Sequence, residues 1–432
     1  MQMTSKKKVL IITYYWPPSG GSGVQRWVKF VKYLDRLGWE PIIYTPENPE
    51  YPSLDDSMLK DLPANLTVLK QKIWEPFDLY KRFTRKKKGE RLDAGFLSED
   101  GGKEKWSQKL SVWIRGNFFI PDARKFWIKP SIRFLDDYLK KNPVDYLVST
   151  GPPHSMHLIA KALKRKHTLK WIADFRDPWT NIDFYKDLRL TKWADKKHRR
   201  LEKSVLTQAD VCITIGNTMK LEFEELGGKK VKVITNGFDE EDLPIIEVAK
   251  DELFSIAHIG VLNPSRNPYI LWKALSELVE ENEDFAKRLQ LKLVGKVDFS
   301  VKEDLRKLNL IPYLNYIPYL NHDEAILEQK KSHLLLLLVN NTPNSKGILT
   351  GKLFEYLSVK TPILGIGPMD GDAAIVLNES KAGKMVDYDD LAGMKKYLLD
   401  QCFNAEALPE TDIFKYSRRE LTNQLVKIME EA

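Results

Sequence analysis

Short apolar runs alternate along this chain with stretches in which apolar residues recur every three or four positions, almost from end to end. The short runs read as strands buried on both faces, and the 3.6-residue periodicity between them as amphipathic helices. A first series of strands is predicted at Lys8–Thr13, Glu40–Thr45, Val144–Thr150, Leu169–Ala173, Val211–Ile215 and Val231–Thr235. Val24, Trp27, Val28, Val31 and Leu34 mark one face of the first helix. A second series is predicted at Phe254–Gly260, Leu289–Gly295, Tyr313–Ile317, His333–Val339, Pro362–Gly365 and Gly383–Val386. Strands that alternate with helices form parallel sheets covered by helices. The acidic, Pro-containing stretch Asp239–Lys250 separates the two series as a connection. The expected fold class is therefore α/β, with two Rossmann-like parallel-sheet domains facing across a cleft. The domains are expected at 1–240 and 253–408, followed by a terminal segment, 409–432, with a helix near Asp412–Glu431. Loops at the strand C-termini then make the cleft the natural binding place.

Bulk properties narrow this picture. A chain of 432 residues exceeds one ordinary core, and 43% hydrophobic with 30% charged residues is a soluble globular composition. Cys212 and Cys402 make no disulfide framework, which suits a reducing cytoplasm. No apolar run approaches the ~18 residues of a membrane span. Lys6-Lys7-Lys8 before Val9–Thr13 imitates a signal peptide, but the run ends at once in Tyr14-Tyr-Trp-Pro-Pro18 and reads as a buried strand.

The net charge of +8 is concentrated: Lys70–Arg133 holds 17 Lys or Arg against 8 Asp or Glu. This stretch, 70–133, reads as a basic aromatic insertion. It contains Arg85-Lys-Lys-Lys88 and a helical pattern of Trp106, Leu110, Trp113, Ile114 and Phe118, with Lys105, Lys109 and Arg115 elsewhere on the wheel. A basic, Trp-rich amphipathic helix suits an anionic membrane surface; the alternative is a face packed on the first domain with solvated lysines. No nucleic-acid-binding module surrounds these residues, so no nucleic acid partner is expected.

Candidate chemistry sits in the loops. Ser345–Leu364 joins a polar, glycine-punctuated loop to a short amphipathic helix and a Pro-led strand. Lys352 falls in the first helical turn, beside free backbone N–H groups at Gly351, with Glu355 about one turn on. That combination offers an anion site and an acceptor, as a nucleotide diphosphate sugar requires. Arg266, in Gly260-Val-Leu-Asn-Pro-Ser-Arg266, brings a fixed charge to a matching loop. In the first half, Pro17-Pro-Ser-Gly-Gly-Ser-Gly23 carries Gly20 and Gly21 between strand and helix. It is neither the dinucleotide fingerprint, since Arg26 replaces the third glycine, nor a Walker loop. His154 follows the strand ending at Thr150 and suits a sugar hydroxyl or a proton relay. Asp174-Phe-Arg-Asp-Pro-Trp179 offers Asp174 for acceptor contact, or self-paired charges under the loop, with Asp177 as a cap or turn residue. The pairs Asp370-Gly-Asp372 and Asp387-Tyr-Asp389 precede helical patterns and read as caps, with no bound metal and no cofactor.

These loops resemble those of the family-4 glycosyltransferases, retaining enzymes of the GT-B fold. The resemblance lies in the Pro-x-x-Gly-Gly loop, in Val233-Ile-Thr-Asn-Gly-Phe-Asp239, in the Gly260 strand and loop, and in Lys352-Leu-Phe-Glu-Tyr-Leu357 with Pro362-Ile-Leu364. It spans most of the chain but not Asn48–Arg133. It implies that Glu355 binds the ribose and that Arg266 and Lys352 bind the diphosphate. Gly20 and Gly21 then lie under phosphates or acceptor, His154 reaches the transferred sugar, Asn236 belongs to the binding loops, and the last helix crosses back to the first domain. Two departures stand out. Gly347 occupies the place of a sugar-contacting glutamate, keeping only a backbone N–H, and Val261 replaces an arginine. The implied partners are a nucleotide diphosphate sugar donor and a glycan or lipid-linked acceptor. The implied setting is the cytoplasm, on the inner membrane face, in cell-surface polysaccharide synthesis. A nucleotide-sugar epimerase of the same fold and a catalytically degenerate binding protein stay open as alternatives.

Overall fold

A computed structural model describes residues 6–51, 53–75, 106–243, 248–405, 408–409 and 413–432. Arg85–Lys88 and most of the basic stretch lie outside the described residues. The chain divides into two units. One comprises the described residues up to Asn236 together with Arg418–Ala432; the other runs from Gly237 to Ser417.

The first unit is built on a seven-stranded sheet. Its strands are β1 (Lys8–Ile12), β2 (Glu40–Pro46), β3 (Thr67–Gln71), β4 (Tyr146–Gly151), β5 (Lys170–Phe175), β6 (Val211–Thr214) and β7 (Val231–Val233). They lie in the order β3-β2-β1-β4-β5-β6-β7, every pair parallel. β1 and β4 are apolar because helices cover both faces, and Val9–Ile12 have no exposed surface. β3 was not expected. It is an edge strand with no fully buried position, and it lacks the apolar run that marks the central strands. The helix Ser22–Arg36 lays Val24, Trp27, Val28, Val31 and Leu34 into this core. The last helix, Arg418–Glu430, adds Leu421, Leu425 and Met429 to the same cluster. Each of those side chains contributes roughly 1.5–3 kcal/mol when fully buried. This helix starts later than expected because a 3₁₀ turn, Phe414–Tyr416, and a bridge from Phe238 to Ser417 occupy the preceding chain.

The second unit holds β8 (Phe254–Ile259), β9 (Leu289–Val294), β10 (Leu314–Ile317), β11 (Leu334–Leu338), β12 (Ile363–Ile366) and β13 (Gly383–Val386). Their order is β10-β9-β8-β11-β12-β13, again entirely parallel. Five consecutive buried leucines form β11 at the middle of the sheet. The order reverses between β8 and β11, so the loops leaving their C-terminal ends diverge and leave a crevice there.

The two Asp-x-Asp pairs do not cap in the expected way. Gly371 is the N-cap of helix Asp372–Ser380 and has no side-chain bond to give, while Asp370 pairs with Lys346. Asp390 caps the helix Leu391–Phe403 through the Gly393 N–H, and Asp387 turns back to the Tyr388 N–H. Among the described residues no helix is long and apolar enough to cross a membrane.

Candidate functional site

At the crevice of the second sheet, β8 ends in Gly260 with φ +125°, a conformation that L side chains rarely adopt. A Cβ there would lie 2.8 Å from Lys352 Nζ, so the glycine also makes room for the lysine. Lys352 is the second residue of helix Gly351–Ser358. The N-cap, Thr350, makes no side-chain capping bond, and its buried Oγ1 has no partner. The first backbone N–H groups of the helix are thus left for another acceptor. The Ile259 N–H donates to the Tyr356 hydroxyl at 3.3 Å, which ties this helix to the end of β8.

Four further groups define the electrostatics. His258, 2% exposed, donates from Nδ1 to the Leu336 carbonyl at 3.2 Å, leaving the Nε2 lone pair toward Lys352 Nζ at 3.5 Å. Burial and the neighbouring Lys352 cation hold this imidazole neutral, with a pKa well below its usual range. Burial also lowers the Lys352 ammonium to about 8; Glu355 opposes the shift and Arg266 adds to it. Arg266 Nε donates to Asn340 Oδ1 at 2.7 Å, which positions its guanidinium at the end of β11. A pocket of about 430 Å³ opens beside it, walled by Tyr269, Lys273, Leu338, Ile366 and Tyr388. The structure therefore gathers Gly351, Lys352, Arg266 and Glu355 around the adjacent ends of β8 and β11. Gly347 lies in the 3₁₀ turn Ser345–Gly347, where its N–H is already spent on Asn344 O at 3.0 Å, a correction to its expected use. Val261 is exposed.

In the first unit Gly21, at φ +107°, is the N-cap of helix Ser22–Arg36, and the first turn carries no acidic residue. Gly20 is pressed against Ser53 and Asp55, where a Cβ would meet Ser53 Oγ at 2.9 Å. His154, 8% exposed, stacks face to face on Trp179 with ring centroids 4.6 Å apart. Asn236 is half-buried at the end of the loop after β7. Asp174 is different. It has no exposed surface, and its carboxylate accepts from Arg26, Trp27 Nε1 and Thr150 Oγ1 at 2.8–3.3 Å. Asp174 is a structural anchor, which corrects its expected contact with substrate. Sequence reasoning missed His258 and treated Arg26 only as a departure from a motif. Arg26 and Asp174 stand 148 positions apart, so no local pattern links them.

These two units constitute the GT-B fold. The chain is similar over 99% of its length, and of the other chain's, to a glycosyltransferase from Rickettsia africae (14% identity, TM-score 0.60). It is similar over 98% of its length to the lipopolysaccharide outer core galactosyltransferase WaaB, covering 100% of that chain (12% identity, TM-score 0.58). A UDP-N-acetylglucosamine 2-epimerase from Listeria monocytogenes, named as putative in its own description, is similar over 99% of this chain and 98% of its own (12% identity, TM-score 0.54). No family model and no curated protein matches the sequence.

Proposed function

We propose that this protein is a retaining glycosyltransferase that moves a sugar, of hexosyl type, from a nucleotide diphosphate sugar to a glycan or lipid-linked acceptor in cell-surface polysaccharide synthesis. The observation that carries this reading is the uncapped helix end at Gly351 with Lys352 seated against Gly260. Lys352, Arg266 and the Gly351 N–H groups bind the diphosphate, and Glu355 accepts from the ribose hydroxyls. In the reaction the anomeric C–O bond to the diphosphate breaks and its electron pair stays on the leaving phosphate oxygen. The acceptor hydroxyl forms the new C–O bond, and its proton passes to that leaving oxygen. The clustered cations and N–H donors stabilise the charge that grows there, an effect worth about 3–4 kcal/mol per well-placed donor in other enzymes. Gly20, Gly21, Asn236 and His154 serve the sugar and acceptor. A thermal-shift screen over nucleotides and nucleotide sugars tests the donor site. UDP or GDP sugars should raise the melting temperature of the wild type and not of Lys352→Met. Equal shifts in both proteins would sink the assignment.

A second reading, epimerisation of a free nucleotide sugar, draws on the fold shared with the Listeria epimerase and on Gly347 in place of an acidic residue. Donor isomerisation without any acceptor would select it. Binding without turnover of any donor would instead select a degenerate member.

The working place we propose is the cytoplasmic membrane surface. Trp74, Phe118, Phe126 and Trp193 are 42–64% exposed. Lys125 lies 4.9 Å from the Phe126 ring centroid and Lys197 lies 4.7 Å from that of Trp193. Aromatic rings mixed with lysines suit an anionic headgroup layer. Sedimentation with phosphatidylglycerol vesicles should fall on Trp74→Ser with Trp193→Ser, and unchanged sedimentation would count against this placement.

A further inference from the structure

We propose that Arg176, His154 and the amino end of helix Ser22–Arg36 form an oxyanion site that holds a phosphate or carboxylate carried by the acceptor. This rests on the transferase reading above and names the acceptor's chemistry. Three buried side-chain nitrogens without a partner meet here: His154 Nδ1, His157 Nε2 and Arg176 Nε. Buried polar groups are nearly always satisfied, so three orphans around one turn call for a bound oxygen. The two imidazole nitrogens flank Gly151. A Cβ at Gly151 would lie 2.6 Å from His157 Nε2 and 3.1 Å from His154 Nδ1. The Arg176 N–H donates to the Gly151 carbonyl at 3.0 Å, and Arg176 Nη2 donates to the Pro152 carbonyl.

The protonation pattern favours an acceptor oxygen. Trp171 Nε1–H donates to Ser149 Oγ at 2.9 Å, so the Ser149 hydroxyl is free to donate to His157 Nδ1 at 2.9 Å. His157 then carries its proton on Nε2, and Arg176 Nε is a donor in any state. Burial keeps both imidazoles uncharged, with His157 at about 3. The guanidinium supplies the charge. It has no ion pair among the described residues, because Arg26 already engages Asp174 and Asp177 lies outside ion-pair distance. Asp177 and Asp174 favour its charge from a distance, but the partial burial of the guanidinium outweighs them, so an anion that pairs with it directly is favoured.

The cation is also aimed. Arg176 Nη1 lies 1.6 Å from where a Cβ of Gly23 would stand, so the guanidinium rests on the first turn of helix Ser22–Arg36. That helix has no side-chain cap and no acid in its first turn. A guanidinium beside open N–H groups is an oxyanion receptor. Gly23 is glycine because a methyl group would evict the arginine.

The test is calorimetry on the full chain with inorganic pyrophosphate and with glucuronate, in the Lys352→Met background that silences the donor site. Binding of at least one probe should persist there and fall about tenfold or more on adding either Arg176→Gln or Gly23→Ala. Gly23→Ala keeps the arginine and favours helix, so it guards against a folding artefact. Tighter pyrophosphate binding assigns a phosphate-bearing acceptor, and tighter glucuronate binding an acidic sugar; both support the site. No binding in the Lys352→Met chain, or binding indifferent to both added changes, overturns it. Nucleotide affinity of the single Arg176→Gln variant should stay within about twofold of wild type. If the wild type binds no nucleotide at all, the donor reading fails while the probe titrations still decide the Arg176 site.

Discussion

Arg26 and Lys352 are both cations near the amino end of a helix that leaves a glycine-bearing loop, yet the two units use them in opposite ways. Arg26 has no exposed surface and makes four hydrogen bonds, to both oxygens of Asp174 and to the carbonyls of Ile234 and Thr235. Lys352 is surrounded by a neutral imidazole, an arginine and a glycine, and burial lowers its pKa to about 8 with only Glu355 pulling the other way. A cation paired with a buried carboxylate and two carbonyls holds a fold together. A cation whose charge is poorly compensated is a site waiting for an anion.

The largest effect expected from this contrast is on stability. Asp174→Ala strands the Arg26 guanidinium in the core and should cost about 3–5 kcal/mol, as breaking a buried pair does. Urea unfolding measures it directly; a loss below about 1 kcal/mol would mean that Arg26 finds another partner. At Lys352 the sign reverses. Lys352→Met should raise the melting temperature, since it removes a poorly solvated charge, while nucleotide affinity drops about 10- to 100-fold, the loss expected when a charge-assisted bond of 1.5–3 kcal/mol goes. A variant that loses both stability and binding would show that Lys352 is structural like Arg26.

How much of this contrast was legible beforehand follows from distance along the chain. The parallel strands at both sheet centres were readable because burial on two faces imposes apolar runs, as in Leu334–Leu338. β3 was not, because an edge strand with no fully buried position carries a weak pattern. Lys352, Glu355 and Gly351 were readable together because one helical turn brings them together. The spent state of Asp174 was hidden, since its partners Arg26, Trp27 and Thr150 arrive from two other elements. His258 was hidden for a similar reason: it sits inside the apolar β8 run, and only the sheet brings it under Lys352.

A pH titration sharpens the comparison with a smaller effect. Lys352 is charged below about pH 8 and neutral above it, whereas its ordinary value is 10.5. Donor affinity should therefore fall as pH rises through 8, by up to about tenfold per unit as the charged fraction declines. Between pH 8 and 10 the unfolded chain holds the Lys352 proton that the folded chain has released. Wild-type stability, referenced to Lys352→Met, should accordingly rise over the same window. Affinity and stability moving in the same direction would contradict the depressed lysine.

The smallest effect concerns Glu355, one turn beyond Lys352 on the same half-buried helix face. Its carboxylate has two separable roles: it pulls against the depression of the Lys352 pKa, and it is proposed to accept from ribose hydroxyls. Glu355→Gln removes the charge and keeps an acceptor oxygen, so the loss for a ribonucleotide should be about 3- to 10-fold, the charge assistance being lost while a neutral hydrogen bond of about 0.5–1.5 kcal/mol stays. The 2′,3′-dideoxynucleotide separates the roles. If Glu355 acts on the ribose, the wild type should bind the dideoxynucleotide about as weakly as Glu355→Gln binds the ribonucleotide, and the substitution should cost the dideoxy ligand little. If Glu355 acts only through Lys352, both ligands should weaken together, and the pH at which affinity falls should move below 8 because the one group supporting the ammonium is gone. Calorimetry with the two nucleotides at pH 7 and pH 9 distinguishes a carboxylate that reads the ligand from one that only tunes its neighbour.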